Sequence, residues 1–423
     1  MKKTVKSKQI ILFLFFFLSI LFAYEKTLFE PEFQVKVIEG NCTILKKNSI
    51  TYTAEVIGYY GKDIEYYWFV NSIEQAGEIE QTFTFTPQTS SEEKYEIKVV
   101  ARAGVSKPED VVFLKVTTYD KILKINNKIY LESKTGYEFD SNLKYEWTTN
   151  IGSINGTGRQ IEYIAPNYPG DAIISLDIRN TDEEIIYNQT ISILIYKQFI
   201  ILKADDLFFE GKNIISTNWQ KFFDYINNKN ITASVGIIGN SLDKGSDEYF
   251  SLIKSYYFSS NIEFWNHGYT HDRGSYENGE LFSEFYNTPL NYQYEHLIKS
   301  QGLFKSKLKI TSHTFGASYD HTDQNTIKAL NKINDIKVWF NGDLTSTKQI
   351  FRIGFAVEQP VGVPNYTTFI SNYNPEDNYF ILQLHPNNWD EKMFNDFTKI
   401  IDFLINEEST FIKPYEYYLL LNK

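Results

Sequence analysis

From Phe199 onward, short apolar runs alternate with segments whose apolar residues recur at helical spacing. The strand-like runs span 199–202, 231–238, 262–265, 310–315, 336–340 and 379–384, and the helix-like segments span 217–226, 248–258, 290–305, 325–334 and 391–405. Strands and helices that alternate in this way over roughly 225 residues, from Phe199 to Lys423, imply a parallel sheet covered by helices. Such a sheet is either doubly wound or closed as a barrel.

Polar residues stand where three of these apolar runs end. Asp205 and Asp206 follow the first run, His267 and His271 follow the third, and His385 ends the last. In sheets of this class, ligands bind at the carboxyl ends of the strands. We therefore expect residues from distant parts of the chain to converge on one rim of the sheet.

The residue types at these strand ends suit one kind of chemistry. All six histidines lie between His267 and His385, so chemistry is expected in the C-terminal half of the chain. The spacing of His267 and His271 brings two imidazoles to one ion when the segment turns helically. A carboxylate, paired imidazoles and a separate late imidazole are together the parts of a metal-assisted hydrolase.

The preceding segment, 24–197, has a different pattern. It contains no histidine, and its short alternating runs are separated by Gly, Asn, Asp and Pro, which is typical of strands and turns. Trp68 and Pro87 recur as Trp147 and Pro166, each pair 79 residues apart (147 − 68 and 166 − 87). The pattern resembles two immunoglobulin-like or PKD-like β-sandwich modules, at 24–118 and 119–197. They could act as spacers or bind carbohydrate.

The first 23 residues resemble a secretory signal. Four lysines precede an apolar run of about 13 residues, shorter than the ~20 that span a membrane. We expect an exported protein, secreted, periplasmic or at the cell surface, without a stable membrane span once 1–23 is cleaved; an uncleaved anchor is the alternative. Cleavage takes the formal charge from -11 to -15 by removing four lysines and no acid, which argues against a nucleic-acid partner.

Three segments carry a resemblance to a known family. Lys-Ala-Asp-Asp at 203–206, Asn-His-Gly-Tyr-Thr-His at 266–271 and Leu-Gln-Leu-His-Pro at 382–386 resemble the first, second and fifth motifs of the NodB-type polysaccharide deacetylases, a group of carbohydrate esterases. The motifs occur in the family's order, and the resemblance covers about half the chain. It implies that 198–423 is an α/β domain of the distorted (β/α) barrel type.

The same resemblance implies roles for five residues. Asp206, His267 and His271 would bind a divalent metal, Asp205 would be the general base, and His385 would be the general acid. Zinc is the first expectation, and cobalt, nickel or manganese also suit this ligand set. The implied reaction removes acetyl groups, N-acetyl first and O-acetyl as the alternative, from an extracellular or envelope polysaccharide.

The third motif departs from the family pattern, which places an Arg there, followed by Pro and an aromatic residue. Segment 313–321 has neither Arg nor Pro; Tyr319 can fill the aromatic position, with its backbone amide serving an oxyanion. Trp389 either lines a sugar pocket or packs in the core. Two other functions stay open: a surface adhesin or glycan-binding protein with impaired catalysis, for which the missing Arg speaks, and a different amide hydrolase on the same scaffold.

Overall fold

The computed structural model describes residues 33–59, 63–87, 94–103, 109–133, 142–259, 261–354 and 357–422. The predicted signal segment, 1–23, lies outside these residues. The chain divides into two compact units, one made of 1–120, 128–164 and 174–191, the other of 121–127, 165–173 and 192–423. The predicted boundaries at 118 and 197 remain a prediction. Within the described residues, we find no helix with the length and apolar character needed to span a bilayer.

The N-terminal part of the chain is rich in sheet, as predicted. Its strands are β1 (Gln34–Glu39), β2 (Thr43–Leu45), β3 (Ile50–Ile57), β4 (Ile64–Val70), β5 (Ile73–Glu74), β6 (Thr82–Phe85), β7 (Lys94–Ala103), β8 (Glu109–Tyr119), β9 (Ile122–Lys124), β10 (Lys128–Glu132), β11 (Lys144–Thr149), β12 (Ser153–Asn155), β13 (Gln160–Ile164), β14 (Gly170–Arg179) and β15 (Ile185–Tyr196). They form four sheets, in the orders β1-β3-β6, β2-β8-β7-β4-β5, β10-β13-β12 and β11-β14-β15-β9.

The predicted internal repeat is visible in the two tryptophans. Trp68 lies on β4, is fully buried, and donates its indole N–H to the carbonyl of Glu80 at 3.0 Å. Trp147 lies on β11, is half-buried, and donates to the carbonyl of Gly158 at 2.9 Å. Trp68 pairs with Val99, 31 residues later, and Trp147 pairs with Leu176, 29 residues later. The two separations differ by two residues, which keeps the two partners on the same face of their strands.

The C-terminal part of the chain holds the remaining elements. Its strands are β16 (Phe199–Leu207), β17 (Ala233–Ile237), β18 (Ile262–Asn266), β19 (Arg273–Ser275), β20 (Leu281–Ser283), β21 (Thr314–Gly316), β22 (Val338–Phe340), β23 (Gln349–Phe351), β24 (Tyr379–Leu384) and β25 (Thr410–Phe411). Its helices are α1 (Thr217–Lys229), α2 (Asn240–Lys244), α3 (Asp247–Ser259), α4 (Leu290–Leu303), α5 (Gln324–Leu330), α6 (Tyr366–Asn372), α7 (Glu391–Asn406) and α8 (Pro414–Asn422).

Eight of these strands form a parallel near-barrel. The order is β23-β22-β21-β18-β17-β16-β24, and β25 also pairs with β16. The first and last long strands of the domain, β16 and β24, are therefore neighbours, as in a (β/α) barrel. β16 and β17 are buried along almost their whole length, which is why the sequence shows continuous apolar runs there rather than alternation.

Helices cover this sheet and begin at defined caps. Ser216 caps α1 by accepting from the backbone N–H of Trp219, and Asp390 caps α7 by accepting from that of Met393. Helix α1 buries Trp219, Phe222 and Phe223, which join the large core cluster between the sheet and its helices. The helices thus fix the sheet whose strand ends carry the polar residues.

Candidate active site

The five residues implied by the motifs lie at the carboxyl ends of parallel strands. Asp205 and Asp206 lie near the end of β16, His267 directly follows β18, His271 lies four residues further on, and His385 directly follows β24. Because the strands are parallel, these ends meet at one rim, as predicted from the sequence.

A bulge in β16 separates the two adjacent carboxylates. The pairing with β17 shifts register between Ala204 and Leu207, and Asp206 has a φ of 70°, in the left-handed region that favours glycine. Neighbouring side chains of a regular strand point to opposite faces. The bulge lets Asp206 reach the two histidines of the second motif while Asp205 contacts a different set of partners.

Asp206, His267 and His271 form a compact group of possible metal ligands. Their ligand atoms all lie within 4.8 Å of one another. Asp206 Oδ1 is 3.0 Å from His267 Nε2 and 2.9 Å from His271 Nε2. Burial acts to raise the pKa of Asp206, but the hydrogen bonds from the two histidines hold it below its usual value. Atoms at about 2.0–2.2 Å from one zinc ion lie roughly 3–3.5 Å apart, so these separations fit a shared ion.

The buried ring of His267 is oriented by a second contact. Its Nδ1 lies 2.8 Å from the carbonyl oxygen of Gly316, at the end of β21. A neutral imidazole that donates from Nδ1 to this carbonyl leaves the lone pair of Nε2 for a metal ion beside Asp206, whereas a protonated Nε2 donates to Asp206. Burial lowers the pKa of His267, while the hydrogen bond with Asp206 raises it, and the net shift is upward.

His271 lies in a bent loop. The helical turn that the spacing of His267 and His271 predicted is wrong. The segment contains no helix, and Gly268 and His271 have φ values of 78° and 61°. A Cβ on Gly268 would lie 2.5 Å from Glu284 Oε2, so this close approach requires glycine. Two residues in the left-handed region cannot continue a right-handed helix. The loop brings both imidazoles to Asp206 by another path.

Glu284, which belongs to none of the three motifs, fixes this loop. Its fully buried carboxylate accepts from the backbone N–H groups of Tyr269 at 2.6 Å, Thr270 at 3.1 Å and His271 at 2.8 Å. His296 Nδ1 also lies 2.8 Å from Glu284 Oε1. Four contacts to one carboxylate therefore determine where the backbone of His271 lies.

Asp205 lies in a separate polar cluster. Its Oδ2 is 2.5 Å from Lys203 Nζ, accepts from Gln383 Nε2 at 3.0 Å, and is 3.9 Å from His385 Nε2. Its other oxygen, Oδ1, is buried and has no hydrogen-bond partner among the described residues. One carboxylate oxygen is thus held by the protein, and the other is left to accept a proton or a hydrogen bond.

His385 is oriented by Glu358, a second residue that no motif indicated. Glu358 Oε2 lies 2.6 Å from His385 Nδ1, and Oε1 accepts from the backbone N–H of His385 at 2.7 Å. Burial lowers the pKa of His385, but the hydrogen bond with Glu358 and the charge of Asp205 raise it, so the net shift is upward. The imidazolium form therefore persists to higher pH than in a free histidine.

The two further candidates from the sequence lie in different surroundings. Tyr319 is 40% exposed, its ring centroid is 4.5 Å from that of His271, and its φ is 60°. Trp389 is only 4% exposed, packs against Phe397, and donates its indole N–H to Glu358 Oε1 at 2.9 Å. The structure therefore puts Trp389 in the core beneath His385, the packing alternative, and leaves Tyr319 open beside the histidine pair.

Three carboxylates, those of Asp205, Asp206 and Asp320, lie with one ammonium group at this rim. Lys203 Nζ is 2.5 Å from Asp205 Oδ2 and 3.7 Å from Asp320 Oδ1, and Asp206 lies between His267 and His271. Carboxylates that are largely removed from water require compensation. The donor set and the charge at the rim both suit a metal ion of charge +2.

Comparisons with known proteins were made on sequence and on structure. No protein-family model matches the chain, and no curated protein does. Among solved structures, it is similar to a family 4 acetyl xylan esterase from Clostridium thermocellum in complex with a cobalt ion, at 13% identity, with 53% of this chain and 91% of that chain covered and a TM-score of 0.38.

The chain is also similar to two further solved structures. The peptidoglycan deacetylase PdaC from Bacillus subtilis is 9% identical, covers 53% of this chain and 92% of its own, and has a TM-score of 0.38. BA3943, a CE4 family pseudoenzyme from Bacillus anthracis, is 11% identical, covers 65% and 90%, and has a TM-score of 0.39. These neighbours are of the CE4, NodB-type family. It is the family that the three motifs resemble, but identities and TM-scores this low carry no inference about the activity of this chain.

Proposed function

We propose that this protein is a metal-dependent hydrolase that removes acetyl groups from a polysaccharide. One observation carries the proposal: Asp206, His267 and His271 are gathered within 4.8 Å on the same rim as Asp205 and His385. A carboxylate with two imidazoles leaves positions open for water and substrate. A second carboxylate and a third imidazole beside it supply the base and the acid that amide hydrolysis needs.

The residues that would hold the metal are Asp206, His267 and His271, and zinc is the ion we expect, with cobalt, nickel or manganese as alternatives. When bound, such an ion polarises a carbonyl oxygen and lowers the pKa of a water molecule toward ~7. The protein's own contribution is to fix the three side chains, through Gly316 behind His267 and Glu284 behind His271.

Asp205 and His385 carry the proton transfers in this proposal. Asp205 Oδ1, which has no partner among the described residues, takes a proton from the attacking water. The water oxygen forms a bond to the acyl carbon, and the carbon–nitrogen bond breaks as His385 gives a proton to the nitrogen. The raised pKa of His385 keeps this proton available. The products are acetate and a free amino sugar, or a hydroxyl group if the substrate is an O-acetyl ester.

The surroundings of the site suit a polymeric substrate. Tyr319 is exposed beside His271, and an open cavity of about 850 Å³ lined by Arg273, Tyr286 and His321 lies in the same region of the chain. Exposed aromatic rings can pack against the apolar faces of sugars, and the cavity has the size of a ligand-binding site. We propose that neighbouring sugar units of an extracellular or envelope glycan lie there.

The rest of the chain fits an exported enzyme in this proposal. Residues 1–23 direct export, 24–118 and 119–197 are immunoglobulin-like modules that space the catalytic domain from the cell envelope or bind carbohydrate, and 198–423 is the deacetylase domain. The sheet-rich segments β1–β15 support the two modules, and the formal charge of -11 speaks against a nucleic-acid partner.

Acetate release tests this proposal. We would treat the protein with a chelator, reload it with one equivalent of zinc or cobalt, and measure acetate from N-acetylated chito-oligosaccharides and from O-acetylated xylan. We expect release that depends on the metal and is lost in His271→Ala. Glycan binding without release from any acetylated glycan would overturn the proposal and favour the impaired glycan-binding protein. Release of product only from small cyclic amides would favour the different amide hydrolase.

A further inference from the structure

Lys203 is a buried charged group that has no part in the proposed reaction. It lies on β16, it is fully buried, and it is among the largest fully buried side chains of the described residues. Lysine is almost never fully buried unless it is paired. A buried ammonium group at the rim of a catalytic sheet therefore needs a specific reason to be there.

The contacts of Lys203 point at Asp205. Lys203 Nζ is 2.5 Å from Asp205 Oδ2 and 3.7 Å from Asp320 Oδ1. Gln383 Nε2 donates to the same Asp205 oxygen at 3.0 Å and to Asp320 Oδ2 at 3.2 Å. Lys203 and Gln383 thus hold Asp205 Oδ2 from two directions, which fixes the rotation of the carboxylate; Oδ1 has no partner within the part of the chain that the structure describes.

The protein also builds a fixed seat for the ammonium group. Nζ lies 5.5 Å from the ring centroid of Trp265 and 5.8 Å from that of Phe340, within the range of cation–π attraction. The ring of Trp265 fits because Gly236 and Gly316 have no side chain: an added Cβ would lie 2.5 Å and 2.8 Å from it. The rings of Trp265 and Phe340 therefore help to fix the position of the Lys203 ammonium group.

Gly316 links this seat to the segment in which the expected Arg is missing. A Cβ added at Gly316 would lie 3.6 Å from Lys203 Cε. A side chain at this position would thus point toward the space that the lysine stem fills. The cation that segment 313–321 does not supply is provided instead from β16.

We propose that Lys203 is a positioning residue for the general base: it fixes the orientation and the negative charge of Asp205, in place of a cation from the third motif. This inference rests on the proposed function, and it assigns the departure from the family pattern to a relocated cation rather than to a loss of catalysis. Among the described residues, the ion pairs of Lys203 are with Asp205 and Asp320 and not with the proposed metal ligands, so its effect on turnover runs through Asp205.

A double-mutant cycle tests the inference. Lys203→Met should lower kcat by about 10- to 100-fold, as the loss of an orienting partner does, which is less than the roughly 10²–10⁴-fold that the general base itself contributes. KM and zinc affinity should stay close to wild type. In the Asp205→Asn background, Lys203→Met should cause no further loss, because its target is already gone. Lys197→Met is the control: it removes an ion pair with Glu407 at 3.0 Å elsewhere in the same unit and should leave kcat unchanged.

The outcomes separate this inference from the proposed function. If wild type releases no acetate from any glycan, the proposed function fails and the inference fails with it. If wild type is active and the losses from Lys203→Met and Asp205→Asn multiply, or if Lys203→Met loses zinc or raises KM instead of lowering kcat, the inference alone is overturned. Lys203→Met leaves the carboxylates of Asp205 and Asp320 without their cation and could fail to fold for that reason. In that case Asp320→Asn removes one of the two negative charges, and the same cycle is run in the Asp320→Asn background.

Discussion

Replacing Glu284 by glutamine should weaken metal binding without touching a metal ligand. The carboxylate accepts from the backbone N–H groups of Tyr269, Thr270 and His271, and His296 Nδ1 lies against it. Glutamine has nearly the same shape but keeps only one acceptor oxygen. The substitution therefore removes one specific set of bonds and leaves the packing unchanged.

The contacts of Glu284 indicate which hydrogen bond the substitution removes, and the free energy of that bond sets the size of the effect. Three of the four contacts are made by Oε1, so the glutamine oxygen should take that place and its NH₂ group should face the N–H of His271, now 2.8 Å from Oε2. Two donors then meet in a buried site. A buried N–H left without an acceptor costs about 1–3 kcal/mol, which corresponds to about 5- to 150-fold in affinity.

Calorimetric titration of the metal-free protein with zinc measures this effect. We expect Glu284→Gln to bind one zinc ion with an affinity lower by that factor, with the protein's fold retained in circular dichroism. Glu295→Gln is the matched control. Glu295 is exposed on α4, and its substitution removes the same charge from the same part of the chain. Wild-type zinc affinity in Glu284→Gln would refute the claim that this carboxylate positions His271.

Three further predictions concern the other site residues. Asp205→Asn should keep zinc affinity and lose about 10²–10⁴-fold in kcat; full activity in steady-state acetate release would contradict its role as the base. His267→Ala should lose both zinc in the titration and turnover, and retention of stoichiometric zinc would contradict its place among the ligands. Glu358→Gln should shift the alkaline limb of the kcat–pH profile to lower pH. Burial lowers the pKa of His385, but the hydrogen bond with Glu358 raises it above its usual value. The protonated, acid form of His385 is lost as pH rises through this raised pKa, and it is lost at lower pH when the Glu358 carboxylate is removed. An unmoved limb would contradict the acid role.

Much of the fold could be predicted because buried parallel strands leave a strong sequence signal. The runs 199–202, 262–265 and 379–384 lie within β16, β18 and β24, where side chains are buried on both faces. The hairpin β19–β20 and the short helix α6 were not predicted. Their three to seven residues are too few to show a period, and their places are set by long-range contacts.

The site was predictable to a different extent. The five motif residues could be placed on one rim because parallel strands align their carboxyl ends. The helical turn between His267 and His271 could not be excluded from spacing alone, since the left-handed conformations at Gly268 and His271 depend on Glu284. Residues that orient others, such as Glu284 and Glu358, act across 13 and 27 positions of sequence and form no motif.

Lys203 shows why a buried charge is difficult to recognise in a sequence. Lysine usually marks a solvated position, and nothing in the run before Asp205 indicates that its ammonium group will lie over Trp265 and Phe340. The absence of Arg from segment 313–321 was therefore the main support for the alternative of impaired catalysis. The position of Lys203, with Nζ 2.5 Å from Asp205 Oδ2, is the observation from which we propose a relocated charge instead.

The measurement that most directly tests the account is anomalous X-ray diffraction at the zinc edge, on crystals of the protein loaded with one equivalent of zinc. The account predicts one strong peak bonded to Asp206 Oδ1, His267 Nε2 and His271 Nε2, at about 2.0–2.2 Å from each. A zinc ion bound elsewhere, or a zinc-loaded crystal in which these three atoms hold no ion, would contradict it.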